Sequence, residues 1–180
     1  MSKLATEIDV CPFTVVIDSN ESAPYPFAGI KSREHDDRTL VIQTVRKPLW
    51  NHAVRAVEIK GESHNVGMGD YSIEGMESLI AVERKSVNDL FSTLGSRRGR
   101  FEAEIKRLSE DCEFAAVVIE GDWSQILGWK GHGPDPRSVH GTMTAWAQRY
   151  KGVHWVLCPT RAFAEKQTFR ILERFWNDHQ

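Results

Sequence analysis

Three charged side chains follow directly on an apolar run near the middle of the chain. Residues 79–82 read "LIAV", and Glu83, Arg84 and Lys85 come next. Because successive side chains of a strand alternate between its two faces, Glu83 and Lys85 should project together while Arg84 points the other way. Glu and Lys are rarely buried unless they are paired or hold an ion. This pattern therefore indicates a site at the end of a buried strand that uses both charges.

A second acid precedes this strand. Asp70 begins a short strand and could turn back to lie beside Glu83. Two carboxylates at that separation repel each other, which favours a hard divalent cation such as Mg²⁺ or Mn²⁺ bound through oxygen. Such an ion would polarise a phosphoryl oxygen and supply a hydroxide-like water, and Lys85 would orient that water or neutralise developing charge. Asp18 and Glu21, just past the first strand, could reach the same edge.

The same residues also have a purely structural interpretation. A Glu-Arg-Lys sequence at the end of a strand can be a solvated terminus with one ion pair, and Asp70 after a glycine can be a turn residue. Ser86 is a predicted helix N-cap with Asp89 in the first turn, so Asp89 could be only a partner of that cap. The residue types alone leave these alternatives open.

Strands and helices alternate along the chain and must position these residues. Hydrophobic periodicity predicts strands at 13–17, 39–45, 54–59, 70–73, 79–85, 114–121 and 153–158. Predicted helices begin at Ser86, run over about 100–110, follow an apolar stripe over 139–150, and begin again at Thr160. Residues 61–69 read as a connection and residues 127–138 as a loop. The alternation predicts a single α/β domain over residues 1–180, with a mixed sheet between helices.

Composition limits the classes of protein that the chain can represent. It has 180 residues and a net charge of −2, so the whole molecule signals neither nucleic acid nor membrane, and any basic surface must be local. Its apolar runs fall far short of the ~18 residues of a membrane span. The acids near the N-terminus predict no export signal. Three cysteines without C-x-x-C spacing favour reduced thiols in a cytoplasmic setting.

Several motifs in order resemble one known family. "GDYSI" at 69–73 followed by "VERKSVNDLFSTL" at 82–94 is similar to the signature GD…ERKxxxD of the XPF/MUS-type structure-specific endonucleases, in their nuclease domain. Upstream, "VVIDSNE" matches the family's V-D-x-R-E at Asp18 and Glu21, and "RRGRF" matches a later element at Arg100. The resemblance covers most of the chain. It departs at Asn20, where the family has Arg, and in leaving no room before Gln180 for a helix-hairpin-helix domain.

The resemblance implies a restriction-endonuclease-like α/β fold, with a mixed central β-sheet flanked by α-helices. It implies a nuclease that uses Mg²⁺ or Mn²⁺ to cut DNA at branches, flaps or junctions, and needs no nucleotide cofactor. It also implies a homodimer, located in the cytoplasm, at the nucleoid of a prokaryote or virus, or in a eukaryotic nucleus. The implied catalytic residues are Asp70, Glu83, Arg84, Lys85 and Asp89, and the implied metal ligands are Asp70 and Glu83, supported by Asp18 and Glu21. Lys85 would be the catalytic base or the group that orients water.

A basic cluster follows the motif and could bind the DNA backbone. Its members are Arg97, Arg98, Arg100, Lys106 and Arg107. Glu102 and Glu104 interrupt the cluster, so it could equally be a solvated helix face. The adjacent motif gives weight to phosphate contacts.

Two classes of function are compatible with this sequence. The first is a metal-dependent DNA endonuclease acting in repair or recombination, or a restriction-like nuclease with a different substrate. The second is a catalytically silent module of the same fold that binds DNA or dimerises. The chain keeps Asp70, Glu83 and Lys85, and a silent module has no physical reason to keep desolvated carboxylates together. The sequence therefore favours the enzyme.

Overall fold

The computed structural model describes residues 8–49, 56–59, 62–65 and 69–180. The strands in these ranges are β1 (Asp9–Asp18), β2 (Leu40–Lys47), β3 (Ala56–Ile59), β4 (Glu62–Asn65), β5 (Tyr71–Ile73), β6 (Ile80–Ser86), β7 (Phe114–Glu120) and β8 (Val153–Leu157). The helices are α1 (Val87–Ser96), α2 (Arg98–Asp111), α3 (Trp123–Leu127), α4 (Pro136–Arg149) and α5 (Arg161–Asp178).

Six strands form one mixed sheet in the order β2-β1-β5-β6-β7-β8. β1 is parallel to β2 and antiparallel to β5, which is in turn antiparallel to β6. β6, β7 and β8 run parallel. β3 and β4 form a separate antiparallel pair. The predicted mixed sheet flanked by helices is therefore confirmed.

Helices cover both faces of the sheet, and each face has its own hydrophobic core. One core packs α1, α2 and α4 on the sheet through residues such as Leu90, Phe101 and Trp146. The other packs α5 and an irregular segment after β1 on the opposite face, through residues such as Tyr25 and Phe169. The apolar residues of β6 alternate between the two cores, as a strand buried on both faces requires.

The alternation of β6 continues into its charged end. The Lys85 ammonium lies 4.9 Å from the centre of the Phe101 ring on the first face. The Arg84 guanidinium lies 5.7 Å from the centre of the Tyr25 ring on the second face. The prediction that Glu83 and Lys85 share a face, with Arg84 opposite, agrees with these contacts.

The strand and helix around the motif begin and end close to the predicted residues. β6 ends at Ser86, whose side-chain oxygen accepts a hydrogen bond from the backbone N–H of Asp89 at 3.1 Å, so the predicted N-cap is present. An apolar run, followed by a serine with an acid three residues later, is a strong local signal for a strand that ends at a capped helix.

Three elements of the structure, β4, α3 and the start of α4, differ from the sequence prediction. β4 lies inside the predicted connection 61–69, and residues 54 and 55 of a predicted strand lie outside the described residues. α3 was not predicted; it begins after Asp122, which forms a capping box with Gln125. α4 begins at Pro136 inside the predicted loop, because Asp135 caps it and proline is favourable in the first turn.

Two further features follow from the described residues. None of the helices in this part of the chain is both long and apolar enough to cross a membrane. Cys11, Cys112 and Cys158 are all buried and form no disulfide, which agrees with the predicted reduced thiols.

Candidate active site

The turn into β5 places Asp70 beside the end of β6. The Asp70 backbone N–H donates to the Val82 carbonyl at 2.9 Å, and one Asp70 carboxylate oxygen accepts from the Arg84 backbone N–H at 2.7 Å. Gly69 precedes it with a φ of +86°, and a Cβ there would lie 3.1 Å from the Val82 oxygen. Glycine is therefore required for the close approach that brings Asp70 to the motif strand.

Glu83 and Lys85 form a buried ion pair on the face covered by α1 and α2. Glu83 is only 3% exposed, and Lys85 donates directly to its carboxylate. Burial disfavours the charged form of Lys85, but the carboxylates of Glu83, Glu104 and Asp70 outweigh burial and raise the pKa of Lys85. The Lys85 ammonium therefore stays charged, surrounded by acids.

Glu104 on α2 lies beside Glu83 and Lys85. From the sequence it is predicted only as an acid that interrupts the basic cluster. Burial, together with the neighbouring Glu83 carboxylate, raises the pKa of Glu104 to about 8. Its position was visible in the sequence, because it lies between Phe101 and Ile105 on the side of α2 that packs against the sheet. The sequence does not indicate which strand this side of α2 packs against, so it did not predict the contact between Glu104 and Glu83.

The donor set fits a hard divalent cation. Burial first, and then the Glu83 carboxylate, raise the pKa of Asp70 well above its usual value. A cation between these carboxylates would offset their repulsion, and oxygen ligands are those that Mg²⁺ and Mn²⁺ prefer. Within the described ranges no three Asp, Glu, His or Cys side chains converge as a complete metal site. Asp70 and Glu83 would therefore hold the ion together with water, as Mg²⁺ commonly is held.

The two acids after β1 have different surroundings. The Glu21 side chain is nearly buried, lies at the wall of the site, and accepts from the Ala23 backbone N–H at 2.6 Å. Asp18 instead accepts from the backbone N–H of Leu49 at 3.1 Å, which ties down the chain after β2. Of the two predicted supporting ligands, only Glu21 lines the site in this structure.

Arg84 is held in a fixed position by Glu120 at the end of β7. Its guanidinium donates to both carboxylate oxygens of Glu120, at 2.8 and 3.0 Å, and to Glu21 at 3.5 Å. Although burial opposes it, the Arg84 hydrogen bond lowers the pKa of Glu120, so both partners remain charged. This two-point pairing makes Arg84 part of the frame of the site. The sequence analysis did not predict it, since Glu120 lies 36 residues further along the chain.

These side chains open into one polar cleft of about 290 Å³. Its lining residues are Asn20, Glu21, Ser22, Asp70, Arg84, Lys85, Asp89, Thr93 and Arg97. Asp89 faces the cleft and also accepts from the Ser86 hydroxyl at 2.6 Å, so both predicted roles remain open to it. The cleft joins acids on the sheet side to hydroxyl and guanidinium groups on α1.

The predicted basic cluster does not form one surface. Arg97 lies at the cleft, where its guanidinium is 3.2 Å from the Ser92 hydroxyl. Arg98 turns away to the Thr142 hydroxyl at 2.6 Å and packs over the Trp146 ring at 5.2 Å, which joins α2 to α4. Only the first of these two arginines is placed to meet a ligand in the cleft.

The rest of the cluster divides in the same way. Arg100 is exposed on α2, and Lys106 is exposed and pairs with Glu110 on its own helix. Arg107 is only 3% exposed and pairs with Asp111, so phosphate cannot reach it in this structure. The prediction that Arg107 contacts DNA therefore does not fit its burial, because it packs on the side of α2 that faces the protein.

The fold is a mixed sheet between helices, and a polar cleft lies where β6 ends and β5 begins, so the chain is an α/β domain with a candidate active site at that end of the sheet. Residues 31–175 match the ERCC4 domain family, and the chain belongs to that family. The XPF-type nuclease domain that the motif resembled is thereby confirmed.

Two solved structures from Aeropyrum pernix have a similar fold. "XPF from Aeropyrum pernix" is 22% identical with a TM-score of 0.54, over 89% of this chain and 62% of its own. "XPF from Aeropyrum pernix, complex with DNA" is 20% identical with a TM-score of 0.54, over 93% of this chain and 66% of its own. The chain thus spans less than two thirds of each relative. A comparison with curated proteins finds no significant match.

Proposed function

We propose that the domain is a divalent-metal-dependent DNA endonuclease that hydrolyses phosphodiester bonds. The observation that carries this proposal is the cleft itself, in which Asp70 and Lys85 meet beside the buried Glu83 and which Arg97 also lines. Neighbouring carboxylates whose pKa is raised by burial and by each other, as for Asp70 beside Glu83, are a feature of functional sites. Membership of the ERCC4 domain family supports the same activity.

The residues of the chain have distinct parts in the proposed reaction. Asp70 and Glu83 would hold the ion, which when bound supplies a Lewis acid and an activated water. Lys85, whose pKa its acidic neighbours raise in the metal-free protein, would act on the attacking water or on a phosphate oxygen. Arg97 would contact a phosphate next to the one that is cut.

Branched or flap DNA is the substrate that we propose. The complex with DNA of a relative from Aeropyrum pernix supports DNA as the ligand. The cleft in this chain has Asn20 and Ser22 on the wall beside Glu21, so this wall offers amide and hydroxyl groups in place of the Arg expected at residue 20. Dimerisation through this domain is part of the proposal.

Cleavage of labelled DNA tests this proposal directly. The 180-residue chain would be incubated with flap, fork, four-way junction and plain duplex DNA of one sequence, with Mg²⁺, with Mn²⁺ or with EDTA. We expect cuts near the branch with either metal and none in EDTA. The matched control is Asp70→Asn, which keeps an acceptor for the Arg84 N–H. Equal cutting by this variant, or cutting in EDTA, would contradict the proposal.

A further inference from the structure

Residues 19–24, which we call the acidic turn, carry Glu21 to the cleft wall without forming strand or helix. Inside a regular element, each backbone carbonyl has a partner from the ladder or the helix. The acidic turn has no such element, so its carbonyl oxygens need other donors. The conformation of the acidic turn, and with it the position of Glu21, therefore depends on the groups that donate hydrogen bonds to these carbonyl oxygens.

Two arginines from distant parts of the chain supply these donors. One Arg46 nitrogen, from β2, lies 2.7 Å from the Glu21 carbonyl oxygen and 3.1 Å from that of Ser19. One Arg161 nitrogen, at the start of α5, lies 2.6 Å from the Ala23 carbonyl oxygen and 3.1 Å from that of Pro24. The arginines therefore hold the acidic turn before and after the Glu21 side chain.

Arg161 also connects the acidic turn to the motif strand. Its second terminal nitrogen donates to Glu120 at 2.8 Å, and Glu120 is the carboxylate that holds Arg84 at two points. The planar guanidinium donates to the carboxylate and to the carbonyl oxygens from two separate nitrogens in fixed directions, whereas a lysine has all its donors on one nitrogen. One side chain thus fixes the distance between the turn that carries Glu21 and the strand that carries Glu83.

We propose that Arg46 and Arg161 are positioning residues for Glu21, which hold its carboxylate at the wall of the cleft, where its charge would stabilise a divalent cation held by Asp70 and Glu83. The inference rests on the proposed function. Neither arginine lines the cleft, and both are exposed. Replacement of Arg46 should cost little stability, whereas replacement of Arg161 also removes an ion pair with Glu120 and a contact over the Tyr25 ring at 4.8 Å. Loss of a group that orients a metal ligand typically lowers metal affinity or activity about 10–100-fold.

Calorimetric titration of the full chain with Mn²⁺ tests the inference without relying on turnover. We expect Arg46→Ala and Arg161→Ala each to weaken Mn²⁺ binding by about 10–100-fold, with a melting temperature close to wild type for Arg46→Ala. The Mn²⁺ affinity of Arg161→Lys should lie between those of Arg161→Ala and wild type. Lysine keeps the positive charge next to Glu120 but lacks the two separate nitrogens of the guanidinium. Arg174→Ala, which removes a surface ion pair with Asp178 on the same helix, should bind Mn²⁺ as wild type does.

A double-mutant cycle with Glu21 distinguishes positioning from a general effect. If the arginines act through Glu21, adding either replacement to Glu21→Gln should weaken Mn²⁺ binding no further, since contacting groups are not additive. Additive losses would overturn the inference, and so would wild-type affinity in both single variants. If Arg161→Ala fails to fold, the Arg46 cycle decides, because that side chain contacts only backbone oxygens of the acidic turn in the hydrogen bonds described above.

The same titration separates this inference from the proposed function. A wild-type chain that neither binds Mn²⁺ nor cuts DNA would overturn both. A wild-type chain that does both, with arginine variants indistinguishable from it, would overturn only the positioning role.

Discussion

Lys85 carries a buried positive charge among Glu83, Glu104 and Asp70. Those acids raise the pKa of Lys85 and keep it protonated in the metal-free protein, and a bound cation would offset part of their charge. The residue that a motif marks as a base can instead be the cation that allows several carboxylates to share a small buried volume. Its chemistry is then to stabilise negative charge on the phosphate.

Replacement of Lys85 should separate turnover from binding. We expect Lys85→Ala to lower single-turnover cleavage about 10²–10⁴-fold, as loss of one electrostatic or acid–base group does, while DNA binding stays within a few-fold. Single-turnover cleavage and fluorescence anisotropy measure the two quantities. Lys151→Ala, which removes an exposed lysine away from the cleft, is the control. Wild-type cleavage by Lys85→Ala, with earlier melting, would mean that Lys85 is only a structural partner of Glu83.

Glu104 should make the metal-free protein sensitive to pH. Its pKa is raised to about 8 in the folded protein, so the folded state holds a proton that the unfolded state releases. The contribution of Glu104 to stability is then greatest below the pKa that its carboxyl group has in the unfolded chain, and it is lost as the pH rises towards about 8. In EDTA, the free energy of unfolding should therefore fall between about pH 5 and pH 8, and Glu104→Gln should flatten that fall.

Urea unfolding at several pH values measures this dependence. Because the raised pKa of Asp70 acts in the same direction, Glu104→Gln should remove only part of it. Glu102→Gln is the matched control, since Glu102 lies on the same helix and pairs with Arg149 at 2.7 Å on the surface. An unchanged pH dependence in Glu104→Gln would show that Glu104 does not face the Glu83 carboxylate in solution.

At the scale of elements, α1 and α2 determine which arginines can meet DNA. Arg97 ends α1 and lies at the cleft, whereas Arg98 begins α2 and lies between α2 and α4. Adjacent residues at a helix junction point in different directions. A sequence pattern of neighbouring arginines therefore predicts charge in this region without predicting which charge faces the ligand.

Single replacements of these two arginines should give different phenotypes. Arg97→Ala should weaken DNA binding for all sequences alike and lower the salt dependence of binding by about one phosphate contact. Arg98→Ala should leave the salt dependence unchanged and lower the melting temperature, because it removes the Thr142 hydrogen bond and the Trp146 contact. Binding isotherms at several salt concentrations and thermal unfolding distinguish them. The opposite assignment of the two phenotypes would show that Arg98 faces the DNA.

The elements that the sequence predicts well are those whose signals are local. β6 and α1 are marked by an apolar run and a serine cap, and the placement of Asp70 follows from a glycine that permits a close turn. The frame around the site depends on contacts between distant residues. Arg84 meets Glu120, and Arg161 meets the acidic turn 137 or more residues away, so no local pattern could predict these pairings.

At the scale of the whole molecule, the site is assembled from both halves of the sheet. β1 and β5 bring Glu21 and Asp70, while β6 and β7 bring Glu83 and Glu120, and the two halves meet where β5 pairs with β6. In the described residues the pairing across that junction is short, with Tyr71 and Val82 in register and Asp70 hydrogen-bonded to Val82 and Arg84. A cation bound by Asp70 and Glu83 would link the two halves, so metal binding should be coupled to the stability of the entire domain.

Thermal unfolding should therefore reveal the metal even when no DNA is present. An ion that binds only the folded chain adds about 2.7 kcal/mol of stability at 100 times its dissociation constant, so Mn²⁺ should raise the melting temperature above that in EDTA. In EDTA, Asp70→Asn should have a higher melting temperature than wild type, because it removes a carboxylate that Glu83 repels. Addition of Mn²⁺ should not raise the melting temperature of this variant. Ca²⁺ should stabilise wild type yet support little cleavage, since its larger, looser shell positions the attacking water poorly. Asp178→Asn, at the surface beside Arg174, should respond to Mn²⁺ as wild type does. Equal stabilisation of Asp70→Asn and wild type by Mn²⁺ would place the ion somewhere other than the end of β6.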